Sequence, residues 1–407
     1  MTPRQNILFV VHRVPFPPDR GDRIRSFHLL KFLSARANVW LATLSDEHVE
    51  QESIRELESY CEEVSIEPLN LTRYVRGAIT LACGSSVTEG IFLSKKLKET
   101  ITNWTSGVQF DSVVGFCSSV APYLDLPVLK NVPKYVDLVD VDSEKFFEYA
   151  ATKGGGKGLL YGIEAKRVRK LETRLGRECA GVTFVTEPES EIYRSFMPTA
   201  NIKFAVNGID LDYFDCDKQH YVDGDKIHAK QSEADVHNCL FVGALDYPPN
   251  VQGLLWFQEH VWPTIQQRFP RSGLQIVGRN PAPEIVALDH HMNIQIHANV
   301  PDVRPYYYAA SVAIAPLKIA RGLQNKILEA FAMKTPVIST PYAVEGLSIK
   351  SEHAMIASEP QEWVNCINQL FHSEADRTKY ANAGHDFVKT NHSWETCLQP
   401  FAELLNI

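Results

Sequence analysis

Short apolar runs alternate with longer amphipathic stretches along the whole chain. Asn6–Val11 (NILFVV) is unbroken in its apolar character, which predicts a strand buried on both faces, followed by a Pro-rich loop and a helix over 24–35. Further strands are predicted at 39–43, 64–67, 111–115, 135–139 and 181–186, with helices over 47–60 and 94–104 between them. That alternation is the pattern of a doubly wound sheet. Residues 201–210 close the first half with an apolar strand and a Gly-containing turn, and 215–237 are almost wholly polar, which predicts a linker or surface loop. The alternation then restarts with strands at 239–242, 274–277, 294–296, 312–315 and 336–339 and a helix from Asn250. The expected fold class is α/β, with two Rossmann-like doubly wound domains, 1–205 and 206–385, facing each other across a cleft, and 386–407 as a C-terminal helix returning to the first domain.

The second half is organised around 321–340 (RGLQNKILEAFAMKTPVIST), a polar loop that opens a helix and runs into a short strand. Ile327, Leu328, Ala330, Phe331 and Met333 form one apolar stripe, so the loop is held at the mouth of a packed unit. Gly322 permits close backbone approach, the free amides of the first helical turn favour an anion, and Lys326 adds a full charge beside Glu329. Cations, amides and a carboxylate within nine residues suit a nucleoside diphosphate, with the carboxylate on the ribose hydroxyls; an ordinary capped surface helix is the alternative.

The loop after the first strand, His12–Arg23, holds Gly21 and the arginines 13, 20 and 23, where a glycine allows a tight approach and Arg20 or Arg23 can reach a phosphate or an acceptor hydroxyl. Val136–Ser143 (VDLVDVDS) places Asp137, Asp140 and Asp142 at a strand end. Three uses are open: an Asp-x-Asp metal site, a helix cap from Asp142 or Ser143, or Asp140 or Asp137 as the base that takes a hydroxyl proton, with His12 and His28 in reserve. Gly154–Gly158 (GGGKG) lacks the preceding strand and the spacing of a phosphate-binding loop and is expected as a flexible connection. The helix predicted over 159–180 has a basic face, Lys166, Arg167, Arg169, Lys170, Arg174 and Arg177, which is either solvated or suited to an anionic membrane.

Composition narrows this only slightly. A chain of 407 residues with 44% apolar and 22% charged residues is ordinary for a globular protein of two domains, and a net charge of −8 argues against nucleic acid as a partner. Eight scattered cysteines without a C-x-x-C pair fit reduced thiols, and no run approaches the length of a membrane span, so a cytoplasmic protein is expected.

NGID at 207–210, FVGALDYPPNVQGLLWF at 241–257, VPDVRPYYYAA at 300–310 and NKILEAFAMKTPVISTPYAVEGL at 325–347 resemble the C-terminal half of family 4 glycosyltransferases of the GT-B fold. FVVHRVPFPPDRGDRIRSFHLLKFL at 9–33 is similar to sugar transferases of exosortase-associated exopolysaccharide loci. The resemblance implies retaining, metal-independent transfer of a hexosyl group from a nucleotide-diphosphate sugar, with no cofactor and a UDP-sugar favoured over a GDP-sugar. The acceptor would be a glycan or lipid-linked glycan, met at the inner face of the membrane if the basic helix docks there. By position, Glu329 falls on the ribose, Gly322, Leu323, Gln324 and Asn325 near the diphosphate, Arg279 and Val300 beside the base, and Gly243 and Gly21 facing the phosphates with Arg20. Two departures stand out: Arg321 occupies the place of an acid that contacts the donor sugar, and Ala244 and Pro249 replace a basic pair, so Arg321 and Lys326 are expected to supply the charge that activates the leaving group. A catalytically silent nucleotide-binding module and a nucleotide-sugar epimerase remain as alternatives.

Overall fold

The computed structural model describes residues 4–18, 20–216, 237–318 and 324–407. The chain divides into two compact units, Met1–Asn207 with Cys397–Ile407, and Gly208–Thr396. The sequence boundary at 386 therefore shifts: the helix Glu374–Asn391 belongs to the second unit, and the return to the first begins at Cys397. The linker read at 215–237 falls mostly outside the described residues.

In the first unit, β1 (Asn6–Val11), β2 (Asn38–Ser45), β3 (Glu63–Pro68), β4 (Ser112–Phe116), β5 (Lys134–Val139), β6 (Gly181–Phe184) and β7 (Ile202–Phe204) form one parallel sheet in the order β3-β2-β1-β4-β5-β6-β7. The apolar runs are what build it: Ile7 to Val11 are all buried, as a strand covered on both faces requires. The winding reverses between β1 and β4, so the loops after these strands flank the crevice where doubly wound sheets bind ligands.

The second unit repeats the plan with β8 (Asn238–Val242), β9 (Gly273–Gly278), β10 (Ile294–Ala298), β11 (Val312–Ala315), β12 (Val337–Ser339) and β13 (Met355–Ile356), ordered β10-β9-β8-β11-β12-β13 and all parallel. Here the reversal lies between β8 and β11, and the helix that follows β11, Asn325–Ala332, stands at that point. Its stripe of Ile327, Leu328, Ala330 and Phe331 is buried, and at about 1.5–3 kcal/mol for each large side chain this packing holds the helix start in place.

Two local expectations change. GGGKG is not a loop: Gly155 to Gly158 form the first turn of the helix Gly155–Glu178. A Cβ at Gly158 would lie 2.1 Å from the Lys153 carbonyl oxygen, so the glycine serves a tight helix-to-helix junction. The helix Asp142–Thr152 is also not capped by Asp142 or Ser143. Its first amides are taken from outside, Val141 N–H by Glu189 (2.7 Å) and Ser143 N–H by Glu172 (3.1 Å).

Candidate functional site

In the second unit the carboxyl ends of β8 and β9 lie backbone to backbone. A Cβ at Gly278 would meet the Gly243 carbonyl oxygen at 1.7 Å, and one at Gly243 would lie 2.9 Å from Asn250 Nδ2 and 3.2 Å from Lys326 Nζ. Both glycines are therefore demanded by sterics, and Gly243 leaves the space that the Lys326 amine fills. Lys326, on the first turn of Asn325–Ala332, donates to Asn250 Oδ1 (2.7 Å) with its ammonium 4.5 Å from the Phe241 ring centre. Asn250 Nδ2 in turn donates to the Ala244 carbonyl (2.8 Å), which fixes the amide so that its oxygen faces the lysine. Burial pushes the Lys326 amine down to about 7, against the opposing pull of Glu329.

Glu329, one turn on, accepts from Tyr307 Oη (2.9 Å), and that phenol also lies 3.2 Å from the Lys326 carbonyl oxygen. Burial raises the Glu329 carboxyl, while Tyr307 and Lys326 hold it down; burial likewise raises the Tyr307 phenol well above its usual range. Lys326 and Glu329 themselves are only half-buried, so the pair sits at the rim of the packing with its polar heads turned inward. Gln324 immediately precedes the helix, its carbonyl accepting from Ile327 N–H (2.9 Å), and Asn325 is exposed. Arg279 is exposed just after β9, and Val300 is half-buried after β10 against the core. Arg321, Gly322 and Leu323 lie outside the described residues.

The structure thus brings together Gly243, Lys326 and Glu329 from the sequence reading and adds Phe241, Asn250 and Tyr307. The aromatic run Tyr306-Tyr307-Tyr308 and the Asn of DYPPN are the signals that could have indicated the last two.

In the first unit the loop after β1 is a charge network. His12 is buried between Phe116 (ring centres 5.9 Å apart) and Phe92 (5.2 Å), with Nε2 3.6 Å from Asp22 Oδ2. Arg13 pairs with Asp22 (3.1 Å) and Asp46 (3.4 Å), and Arg20 lies 3.4 Å from Asp22 and 3.9 Å from Asp46. Burial raises the Asp22 carboxyl, but hydrogen bonds from His12 and Arg13 outweigh it and hold the group well below the usual carboxylate range. Gly21 opens the helix Gly21–Ser34 and is exposed, and a Cβ there would meet nothing within 4 Å. No contact among the described residues requires that glycine.

Asp137 is not a base. It is 0% exposed and clamped by Arg25, itself 1% exposed, through Nε to Oδ2 (2.7 Å) and Nη2 to Oδ1 (3.3 Å). A carboxylate held in a buried bidentate pair cannot take a proton from an external hydroxyl, and the reading of Asp137 as an acceptor base is corrected. Asp140 differs: it is half-buried and receives Lys145 Nζ at 2.7 Å, while Asp142, raised by burial, shares the same ammonium at 3.4 Å and accepts from Ser118 Oγ at 3.4 Å. Cys117 (φ 71°) and Val139 (φ 69°), at the ends of β4 and β5, are both in the left-handed region, where a β-branched valine is strained. His28 is buried with its ring centre 5.8 Å from that of Phe27.

The basic face of Gly155–Glu178 is largely used within the unit. Arg167 donates to the Leu81 and Ser85 carbonyls, Arg169 to Ser143 and Glu144, and Arg174 to Asp125 and Glu89, which leaves Lys166, Lys170 and Arg177 as its exposed cations. No helix among the described residues is long and apolar enough to cross a membrane.

The family described as "Glycosyl transferases group 1" matches residues 236–373, the region that holds Gly243, Lys326 and Glu329. A curated protein of Klebsiella pneumoniae, an uncharacterized 44.6 kDa protein in the cps region, is 30% identical over 174 residues; the match spans 40% of this chain and 45% of that protein. Among solved structures, the sucrose-phosphate synthase of Thermosynechococcus elongatus superposes with a TM-score of 0.64 at 16% identity, covering 99% of this chain and 98% of its own. Anabaena Alr3699/HepE in complex with UDP gives 0.62 at 15% identity, covering 99% and 100%. At such identities the structural likeness establishes the GT-B fold alone.

Proposed function

We propose that this chain, whose residues 236–373 belong to the group 1 glycosyltransferases and whose fold is GT-B, moves a sugar from a nucleoside-diphosphate sugar to a hydroxyl acceptor with retention at the anomeric carbon. The observation that carries the reading is the Lys326 amine, placed over the end of β8 by Gly243 and Asn250, one helical turn from Glu329. A diphosphate laid against that helix start would meet the ammonium and the amides of the first turn, and Glu329 would accept from the ribose hydroxyls. A uridine nucleotide is favoured because Anabaena Alr3699/HepE, of the same fold, has been solved with UDP and with UDP-glucose.

As the anomeric C–O bond breaks, charge grows on the leaving diphosphate, and fixed cations there act on the transition state. Lys326 is assigned that role, together with Arg321. Gln324, Asn325 and the Gly322 and Leu323 amides line the diphosphate in this reading, with Arg279 and Val300 beside the base. The first unit is assigned the acceptor, a glycan or lipid-linked glycan of polysaccharide assembly, with Asp140 or the departing phosphate receiving its proton. Gly21 and Arg20 are kept as donor-binding candidates of the first unit.

A panel of UDP-, GDP-, ADP- and dTDP-sugars read by thermal shift and by transfer tests this. Saturation near 100 Kd adds about 2.7 kcal/mol, which should raise Tm by several degrees for the matching donor. A flat response to every nucleotide would end the proposal.

The lysine gives the binding a defined pH dependence. A diphosphate favours the ammonium, so its binding restores a proton that the donor-free protein sheds as pH rises through about 7. UDP affinity should therefore fall as pH climbs from 7 toward 9, and calorimetry in buffers of different ionisation heat should show proton uptake near pH 8 that Lys326→Met removes. Uptake unchanged in the variant would assign the proton to another group.

Gly21→Ala separates a ligand-facing glycine from a structural one. Nothing among the described residues crowds a Cβ there, and alanine is better than glycine in a helix by up to about 1 kcal/mol, so Tm should hold or rise. Donor KM should increase nonetheless; an unchanged KM would take Gly21 out of the site.

A further inference from the structure

The first unit carries an apolar surface that its interior does not use. The helix Thr72–Ala82, preceded by Leu71, turns Leu71, Tyr74, Val75 and Ile79 outward, each more than half exposed, with Ala78 and Ala82 exposed between and beyond them. Spacings of three and four make this one continuous stripe along a helix face. The opposite face is the packed one: Gly77 is buried, and a Cβ there would lie 3.0 Å from Val87 and 3.1 Å from Ile91. The helix is therefore anchored by its small residues and offers its large ones to the outside.

A second apolar group adjoins it in the fold. Arg167 of Gly155–Glu178 donates to the carbonyls of Leu81 and Ser85, which ties that helix to the end of Thr72–Ala82. One to two turns before Arg167 stand Ile163, Leu160 and Leu159, all exposed.

The two stretches themselves carry charge of one sign, although Arg73 on the helix reaches across to Asp46 (3.8 Å). No acidic residue occurs from Leu69 to Thr88, and from Tyr149 to Lys170 the single one, Glu164, is buried and spent on the Val87 and Thr88 amides. Lys153, Lys157, Lys166 and Lys170 are exposed in the second stretch, and Arg76 in the first donates to the neutral oxygens of Asn70 and Thr72. In a chain of net charge −8, outward apolar side chains edged by lysines, with no exposed carboxylate in either stretch, are a departure that needs a use.

We infer that this surface docks on an anionic lipid bilayer, with Leu71, Tyr74, Val75 and Ile79 entering the boundary between headgroups and acyl chains and the lysines meeting the lipid phosphates. The charge sign selects this occupant: a second copy would set these lysines near lysines, whereas anionic headgroups neutralise them. The docking element is the short apolar helix, and Arg167, Arg169 and Arg174 of Gly155–Glu178 act within the unit instead.

Co-sedimentation with vesicles tests it without any sugar donor. The protein should pellet with vesicles of equal parts phosphatidylglycerol and phosphatidylcholine, should stay in solution with phosphatidylcholine alone, and should be released by high salt. The triple variant Tyr74→Ser, Val75→Ser, Ile79→Ser should lose binding by about tenfold or more. Leu71→Asp, at a position 84% exposed and outside any packing, should weaken it in the same direction and covers the case in which the triple variant misfolds. Variants that bind like the parent, a parent indifferent to headgroup charge, or a parent that ignores vesicles and elutes as a dimer that Leu71→Asp breaks would each overturn the inference.

Discussion

Replacing Lys326 by alanine is expected to slow sugar transfer by about 10²–10³-fold at saturating donor, the loss typical of one preorganised donor to a developing oxyanion. The amine lies beside Gly243, and Ala244 and Pro249 stand where the resemblance to family 4 glycosyltransferases implies a basic pair, so on the proposed reading Lys326 supplies that charge. Lys326→Arg should not restore the rate. A Cβ at Gly243 would already stand 3.2 Å from Nζ, Phe241 closes the other side at 4.5 Å, and a planar guanidinium needs more room than an ammonium. Stability should fall by about 1–3 kcal/mol: the amine depressed to about 7 by burial gains little from being held there, but its loss leaves the buried Asn250 Oδ1 without this donor. Single-turnover rates together with a melting curve separate the two effects. A kcat within threefold of the parent would remove Lys326 from the chemistry.

The inner strands were legible because they are short apolar runs buried on both faces, and Asn6–Val11 shows this residue by residue, whereas the edge strands β3 and β10 are only partly buried. β13 escaped notice because two residues carry no period. The helix Thr72–Ala82 was missed for the opposite reason: its apolar stripe faces outward, so reading apolar periodicity as core would have misplaced it. In the site, Lys326 and Glu329 could be found because they share one turn of one helix. Tyr307 and Asn250 have only the tyrosine run and the DYPPN segment as signals, and their roles arise from contacts 22 and 76 residues away along the chain. The aspartates of VDLVDVDS were indistinguishable in sequence. What separates them is the irregularity between Asp137 and Val139 in β5, which leaves Asp137 inside and Asp140 half-exposed. Arg25 carries no sequence signal of its role, as an arginine on a helix reads as solvated until its buried partner is known.

That pair supports the second large effect. Arg25→Met should destabilise the protein by about 3–5 kcal/mol, since it strands the Asp137 carboxylate in the interior with the Val139 N–H (3.2 Å) as its remaining described donor. The loss should reach the end of the unit, because Arg25 Nη1 also donates to Asn207 Oδ1 (3.0 Å), and Asn207 is the last residue of the first unit before the chain passes to Gly208. Asp137→Asn should fall in the same range, by leaving the buried guanidinium without a counter-charge. The double change Arg25→Met with Asp137→Leu should recover most of the stability, as buried pairs replaced by apolar residues of similar volume often do. Urea unfolding of the parent, Arg25→Met, Asp137→Leu and the double variant gives the coupling, and Asp137→Asn divides the two uses of Asp137. A structural clamp predicts large single losses and a rescued double variant, whereas an acceptor base predicts that Asp137→Asn keeps the parental midpoint and loses turnover alone.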